Sequence, residues 1–485
     1  NFATSAFALQ QVPPVDFTKE GSITVHKDAD QSGFKYEIQR THKLVQGTNN
    51  QEEWVKLTTP DASIEKETDS NGVANFDNLD LGRYTLKEIS APGHLIDTAT
   101  YIIDVPLTVA DGTQLLYDVH VYPKNTPVQG SVEFLNVGEG KDENALPGVT
   151  FHLFDKDGNR VDNVDYVSDP DGYVRVTGLE NGSYYFQEVE TVDGYLLNNT
   201  KIEFEIEDPS GDEQPETLIL GNFPNYKEPG VFEEQRGLNE TEWGEKTIAS
   251  VGETVEFRLS AKAPTDIKEY KKFALSNQID ARLDYTAGST KVYINDNLDD
   301  PLVEGEDYTL TEPTEGNNTL EVSLTKAGIA KLNAGDTLYV EFSAVVNESA
   351  LGAGPIENTA IVNWDNNKGE TGGKESDPTK TIPVEGTLTI TKVSKTDNSL
   401  LAGATFKLQR QNENGDWLDV AGSTQTTSET GILTWDRLVS GEYRLVETKA
   451  PEGYNLLANP IEFTIDDDAN LTHEFVVENM PEGFI

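Results

Sequence analysis

Gly21-Ser22-Ile23-Thr24-Val25-His26-Lys27, Gly130-Ser131-Val132-Glu133-Phe134-Leu135-Asn136 and Gly386-Thr387-Leu388-Thr389-Ile390-Thr391-Lys392 are three openings of one pattern. Each starts on glycine and then alternates apolar and polar residues, as a half-buried strand does. Each runs on to a second glycine-led strand: Gly33-Phe34-Lys35-Tyr36, Gly148-Val149-Thr150-Phe151 and Gly403-Ala404-Thr405-Phe406. A later block keeps identical internal spacing: Gly72, Leu79, Gly82, Tyr84, Glu88, then Gly172, Leu179, Gly182, Tyr184, Glu188, then Gly431, Leu438, Gly441, Tyr443, Glu447. Glycines at fixed offsets mark turns that need positive φ, with strands between them. The copies close on a strand followed by Asn and Pro: Asn125-Thr126-Pro127, Asn222-Phe223-Pro224 and Asn479-Met480-Pro481. A repeat of this kind predicts three homologous β-sandwiches of roughly 100 residues each.

Outward from the repeats, residues 227–384 keep strand runs but not the template. Thr254–Leu259, Lys291–Ile294 and Thr337–Phe342 read as strands, and Leu324–Leu332 as one short helix. The expectation is a larger sandwich of a second type, bounded by Pro229-Gly230 and by Pro378 and Pro383. The chain then divides into a flexible lead over 1–19 and four domains over 20–127, 128–226, 227–384 and 385–485. This is an all-β chain of four tandem immunoglobulin-like sandwiches, and their short junctions suggest an elongated rod.

Composition narrows the function classes. Lys plus Arg number 37 and Asp plus Glu 85, giving 37 − 85 = −48. Such acidity argues against nucleic acid or an anionic membrane as partner, because phosphate recognition needs a basic footprint. With no cysteine, disulfides and thiolate metal sites are excluded. No apolar run reaches membrane-span length, and the chain, which opens on Asn1 and closes on Ile485, is expected to be a trimmed ectodomain. No HExxH, GxSxG, Walker or dinucleotide fingerprint points to an enzyme. No cofactor is expected.

Each repeat can bring together a first-strand residue, a buried Glu and a last-strand Asn. Where the first is lysine, its amine can attack the carboxamide, expel ammonia and leave an amide cross-link. Burial favours the neutral amine this needs, and it raises the pKa of a glutamic acid that can shuttle the proton. The same residues equally suit a buried ion pair beside an asparagine, and spacing alone does not choose. Lys27 to Asn125 would close a loop of about 100 residues, worth on the order of 5 kcal/mol by analogy with a disulfide.

One lysine stands apart. In Tyr122-Pro123-Lys124-Asn125 the proline favours an extended strand end, which places Lys124 at a domain edge where it stays accessible. By itself that describes any surface lysine. Tyr443-Arg444-Leu445-Val446-Glu447-Thr448-Lys449-Ala450-Pro451-Glu452-Gly453-Tyr454, however, resembles the E-box of Gram-positive pilins, and Tyr122-Pro123-Lys124-Asn125 resembles their pilin motif. The chain is similar to a backbone (major) subunit of sortase-assembled pili over residues 20–485.

That resemblance implies three Cna-B-type domains and one Cna-A-type domain. It implies that Lys124 accepts the threonine of a C-terminal LPxTG-like sorting signal of the next subunit, a signal expected to follow Ile485. The implied partners are identical subunits, a pilus-specific sortase and accessory tip and basal pilins, on a secreted, cell-wall-anchored fibre. The implied isopeptide sets are Lys27, Glu88 and Asn125 in the first domain, and Lys392, Glu447 and Asn479 in the fourth, with Lys395 as fallback. The second domain keeps Glu188 and Asn222 but has Asn136 for lysine, so no bond is expected unless Lys141 substitutes. The third has no lysine near Glu233–Arg236, holds Asn277 in place of the usual aspartate, and leaves Asn358 idle, so no bond is expected there either; Lys227 is the only outside candidate. The alternative is an adhesin that binds host matrix or mucus.

Weaker signals have simpler readings. Asp155-Lys156-Asp157-Gly158-Asn159, Asp169-Pro170-Asp171-Gly172, Asn295-Asp296-Asn297 and Asp466-Asp467-Asp468 resemble calcium-loop fragments, but Asx turns account for them. Trp54, Trp243, Trp364, Trp417 and Trp435 read as core or strand-edge residues.

Overall fold

A computed structural model describes residues 12–207, 214–466 and 470–483. The chain separates into two compact units, Asn1–Val192 with Asn199–Pro224 and Asp193–Asn198 with Asn225–Ile485. Strands dominate both units, and the one α-helix of the described residues is Lys326–Lys331, capped by the Thr325 side chain accepting from Gly328 N–H at 3.2 Å. No helix among the described residues is long and apolar enough to cross a membrane.

The repeats share one topology. In the first, Gly21–His26 lies between Val73–Leu79, antiparallel, and Asp118–Val121, parallel. Facing it is an antiparallel sheet ordered Glu52–Lys56, Lys35–Gln46, Gly82–Ser90 and Thr100–Val105. Between the sheets lie Ile23, Val25, Tyr36, Phe76, Leu86 and their neighbours. The second copy orders Tyr173–Leu179, Gly130–Gly138 and Leu218–Asn225 in the same way; the fourth domain orders Ile432–Leu438, Gly386–Ser394 and Thr472–Asn479.

The opening glycine has a packing cause. A Cβ on Gly21 would stand 2.2 Å from Val105 Cγ1; on Gly130 and Gly386 it would meet Ile206 at 2.4 Å and Ile465 at 2.5 Å. Both sheets touch at that corner, and only glycine fits. A register shift follows directly in all three copies, between Gly21/Ile23, Gly130/Val132 and Gly386/Leu388.

The third domain is different in kind. One sheet runs Gly230–Gly237, Thr254–Lys262, Thr337–Val346 and Leu283–Tyr285; another runs Tyr308–Thr311, Thr319–Leu324, Lys272–Gln278, Ala360–Asp365 and Thr371–Glu375. A small sheet pairs the last strand, Thr379–Pro383, with Lys246–Ala249 in parallel and with Ile356–Asn358 in antiparallel. Its core includes Phe257 stacked on Phe342 and the buried Trp364.

One expectation needs correction. Of the flexible lead, residues 1–11 lie outside the described residues, but Val15 and Phe17 pack against the first domain's core and Asp16 N–H donates to Tyr117 Oη at 2.8 Å. These side chains are apolar enough to be drawn onto the sandwich.

Candidate functional site

The backbone fixes the first-strand position identically in each repeat. Lys27 N–H donates to Gly72 O at 2.7 Å, Asn136 N–H to Gly172 O at 2.8 Å and Lys392 N–H to Gly431 O at 2.7 Å. Those glycines hold φ of +75°, +86° and +70°, and a Cβ would press on the carbonyl of Lys27, Asn136 or Lys392 respectively. The repeating glycine is therefore what seats the lysine.

The last strand completes the site through parallel pairing. Lys392 sits opposite Val477 and Ser394 opposite Asn479, so Asn479 projects to the same face two residues on. Lys392 is fully buried, donates from Nζ to Val477 O at 3.0 Å, and has its pKa lowered to about 8 by burial, with Glu447 pulling the other way. Asn479 Nδ2 donates to Glu447 Oε1 at 2.8 Å and to Asn455 O at 2.6 Å; Leu457 N–H also holds Glu447 Oε1 at 2.8 Å. Asn479 Oδ1 and Glu447 Oε2 are buried with no hydrogen-bond partner. Lys395, the fallback, is exposed.

In the first domain Lys27 Nζ donates to Pro123 O at 2.9 Å and contacts Asn125 Oδ1. Asn125 Nδ2 donates to Glu88 Oε2 at 2.7 Å and to Leu95 O at 2.9 Å, while Tyr36 Oη donates to Glu88 Oε1 at 2.9 Å. Burial lowers the Lys27 pKa; Glu88 opposes this, and the positive charge of Lys124 adds to it. In both domains the carboxyl grips the nitrogen that an attack on the carboxamide would expel, which is where a proton donor is needed.

The second copy corrects the sequence reading. Asn222 is exposed and contacts Asp142. The residue equivalent to Asn125 and Asn479 is Asn225, fully buried and donating from Nδ2 to Leu196 O at 3.0 Å. Asn136 Nδ2 donates to Phe223 O at 3.0 Å, the counterpart of Lys27 on Pro123 and Lys392 on Val477. Matching on Asn-x-Pro moved the assignment by three positions, and an odd step along a strand turns the side chain to the other face. Spacing holds the missed signal: 225 − 188 = 37, as 125 − 88 = 37. Lys141 is exposed in a turn.

In the third domain the first strand presents Glu233, buried, in contact with Asn358 Nδ2. Burial raises its pKa to about 8. Asn358 is thus engaged rather than idle, Asn277 Nδ2 donates to Thr359 O at 3.0 Å, and Lys227 is exposed.

Lys124 lies between two anchored residues, Pro123 and Asn125, yet its side chain is 78% exposed, with Asp28 at 3.7 Å as an exposed ion partner. Beside it opens a groove of about 600 Å³ lined by Tyr101, Ile102, Leu107, Val121 and Tyr122. Tyr122 is itself 66% exposed and stacks on His26 at 4.8 Å. The acidic turns serve the backbone: Asp155 Oδ1 accepts from Asp157 N–H and Asn159 N–H, and Asp169 Oδ1 from Asp171 N–H and Tyr173 N–H, all at 2.9 Å. Asp467 and Asp468 lie outside the described residues.

Residues 15–126 match the family described as Gram-positive pilin subunit D1, N-terminal domain. Residues 130–216 and 386–480 match the prealbumin-like fold domain, and 239–373 the Sgo0707 N2 domain. The crystal structure of BcpA, the major pilin subunit of Bacillus cereus, is similar with TM-score 0.53 and 28% identity, over 73% of this chain and all of that one (100%). Fimbrial subunit type 2 of Actinomyces naeslundii is 30% identical over 286 residues, 48% of this chain and 51% of that protein, so the chain spans about half the length of this curated relative. With a pilin D1 match over the module that carries Lys124 and a major pilin as structural neighbour across most of its length, the chain belongs to the Gram-positive pilins.

Proposed function

We propose that this chain is the repeating subunit of a covalent cell-surface pilus, joined through Lys124 Nζ to the sorting-signal threonine of the next subunit by a pilus-specific sortase. The observation that carries the reading is the contrast at Tyr122-Pro123-Lys124-Asn125: an exposed amine on a segment whose two flanking residues are held by Lys27. An acyl acceptor must be reachable and must return to one place, because orientation supplies much of a transfer rate. The apolar groove beside it suits an extended partner segment. The fibre is anchored to the cell wall and shared with accessory tip and basal pilins.

Two internal amides, Lys27–Asn125 and Lys392–Asn479, complete the proposal. In each, Nζ attacks the carboxamide carbon, the C–Nδ2 bond breaks, and Glu88 or Glu447 transfers the lysine's proton to the leaving ammonia. The amide in the first domain holds the strand end that carries Lys124, and so serves assembly as well as stability.

The test is polymerisation in cells that carry the sortase. Lys124→Ala is expected to abolish high-mass ladders while leaving the monomer folded; ladders of normal length, linked elsewhere, would overturn the assignment. Glu88→Ala is expected to lose the first amide and reduce ladder length. Normal assembly without that amide would remove its positioning role. Loss of host binding with normal ladders would favour the adhesin reading.

A further inference from the structure

The third domain buries a polar cluster that the lysine chemistry does not use. Gln235, on the first strand, is fully buried, as is Thr381 on the last strand, and Thr379 is 1% exposed. The Gln235 amide lies 2.7 Å from Thr379 Oγ1 on one side and 2.7 Å from Thr381 Oγ1 on the other. The orientation that satisfies both amide atoms places Oε1 on the Thr379 hydroxyl at 2.7 Å and on Lys380 N–H at 3.2 Å. It places Nε2 on Thr381 Oγ1 at 2.7 Å and on Lys380 O at 3.1 Å.

Two residues back along the first strand, and so on the same face, is Glu233. Asn358 holds one oxygen of its carboxyl; the other, Oε2, is buried and makes no aligned hydrogen bond. Thr379 pairs with Asn358 across the small sheet, which brings its hydroxyl to the Glu233 carboxyl, close enough to oppose the rise that burial causes.

We infer that the third domain is closed by an ester between Thr379 Oγ1 and Gln235 Cδ, formed by the chain itself with Glu233 as proton shuttle. Glu233 takes the hydroxyl proton as Thr379 Oγ1 attacks Cδ. Charge builds on Oε1, which faces Lys380 N–H at 3.2 Å, a donor shared with Glu245 O at 2.9 Å. Glu233 then returns the proton to Nε2, the Cδ–Nε2 bond breaks, and ammonia leaves. One C–O bond forms, one C–N bond breaks, and no oxidant or co-reactant is consumed. A carboxyl that titrates near 8 can both accept and release a proton near neutrality. The inference stands whether or not Lys124 is the acceptor in assembly.

Peptide mass spectrometry of the full folded chain tests it. The expected result is a peptide containing Gln235 joined to one containing Thr379, lighter than their sum by one ammonia. Alkaline hydroxylamine should separate the pair while leaving the amides of the first and fourth domains intact. Thr379→Val and Glu233→Gln should each abolish the joined peptide, and Thr381→Val should keep it; slow hydrogen exchange over Gly230–Gly237 reports that the third domain of each variant still folds. Separate, unmodified Gln235 and Thr379 peptides from the wild-type chain would overturn the inference. So would a joined peptide that survives Thr379→Val or Glu233→Gln, or one that Thr381→Val removes.

Discussion

The third and fourth domains each bury one glutamic acid between their first and last strands, but they surround it differently. In the fourth, Glu447 faces the carboxamide of Asn479 in a pocket that also contains the amine of Lys392. In the third, Asn358 and Thr379 stand at the Glu233 carboxyl instead of an amine, and Gln235 meets Thr379 beside it. The comparison separates scaffold from reagent. A dry position joining two terminal strands is common to both, and what bond it can make depends on which nucleophile the first or last strand supplies.

The largest effect expected from breaking this comparison lies in the fourth domain. Glu447→Gln should leave Lys392 and Asn479 unjoined, give an intact mass one ammonia above that calculated for the cross-linked variant, and remove a closed loop of 479 − 392 = 87 residues. By the loop-entropy argument that costs about 4–5 kcal/mol, which calorimetry should read as a lower melting temperature. An unchanged ammonia deficit would show that the carboxyl is not needed.

A smaller effect should distinguish the third domain. Glu233 binds its proton more tightly folded than unfolded, because burial carries its pKa from 4.5 to about 8. Stability from this group is therefore full below the unfolded value and is lost as pH rises through about 8, by on the order of a few kcal/mol. Hydrogen exchange over Gly230–Gly237, corrected for its intrinsic pH dependence, should show falling protection between pH 6 and 9. Glu233→Gln should flatten that slope.

The smallest effect concerns Lys395. It is exposed, so Lys395→Ala should leave the mass deficit intact and change stability by less than about 0.5 kcal/mol. A lost amide in that variant would transfer the nucleophile from Lys392 to its neighbour.

Much of the first and fourth sites can be read in the sequence, because their geometry is written in repeating residues. Gly72 and Gly431 cannot be replaced without striking the lysine carbonyl, so position and reagent recur together. The short helix is legible too, since Thr325 is a good cap before Lys326–Lys331. Asn225 was obscured because Asn222-Phe223-Pro224 imitates the closing motif one face out of register. Gln235 and Thr379 leave no such trace. They stand 144 residues apart, each is common on strands, and only the fold shows that they meet in a dry place.

The side-by-side, same-direction pairing of Gly386–Ser394 with Thr472–Asn479 has a consequence in time. The proposed nucleophile of the fourth domain, Lys392, is made before its target, Asn479, so the proposed reaction must wait until the closing strand has emerged and docked. The ammonia that the proposed amide would set free is then a clock mark of completed folding, by which a chain cut short or mispaired would be distinguishable by weight from one that finished.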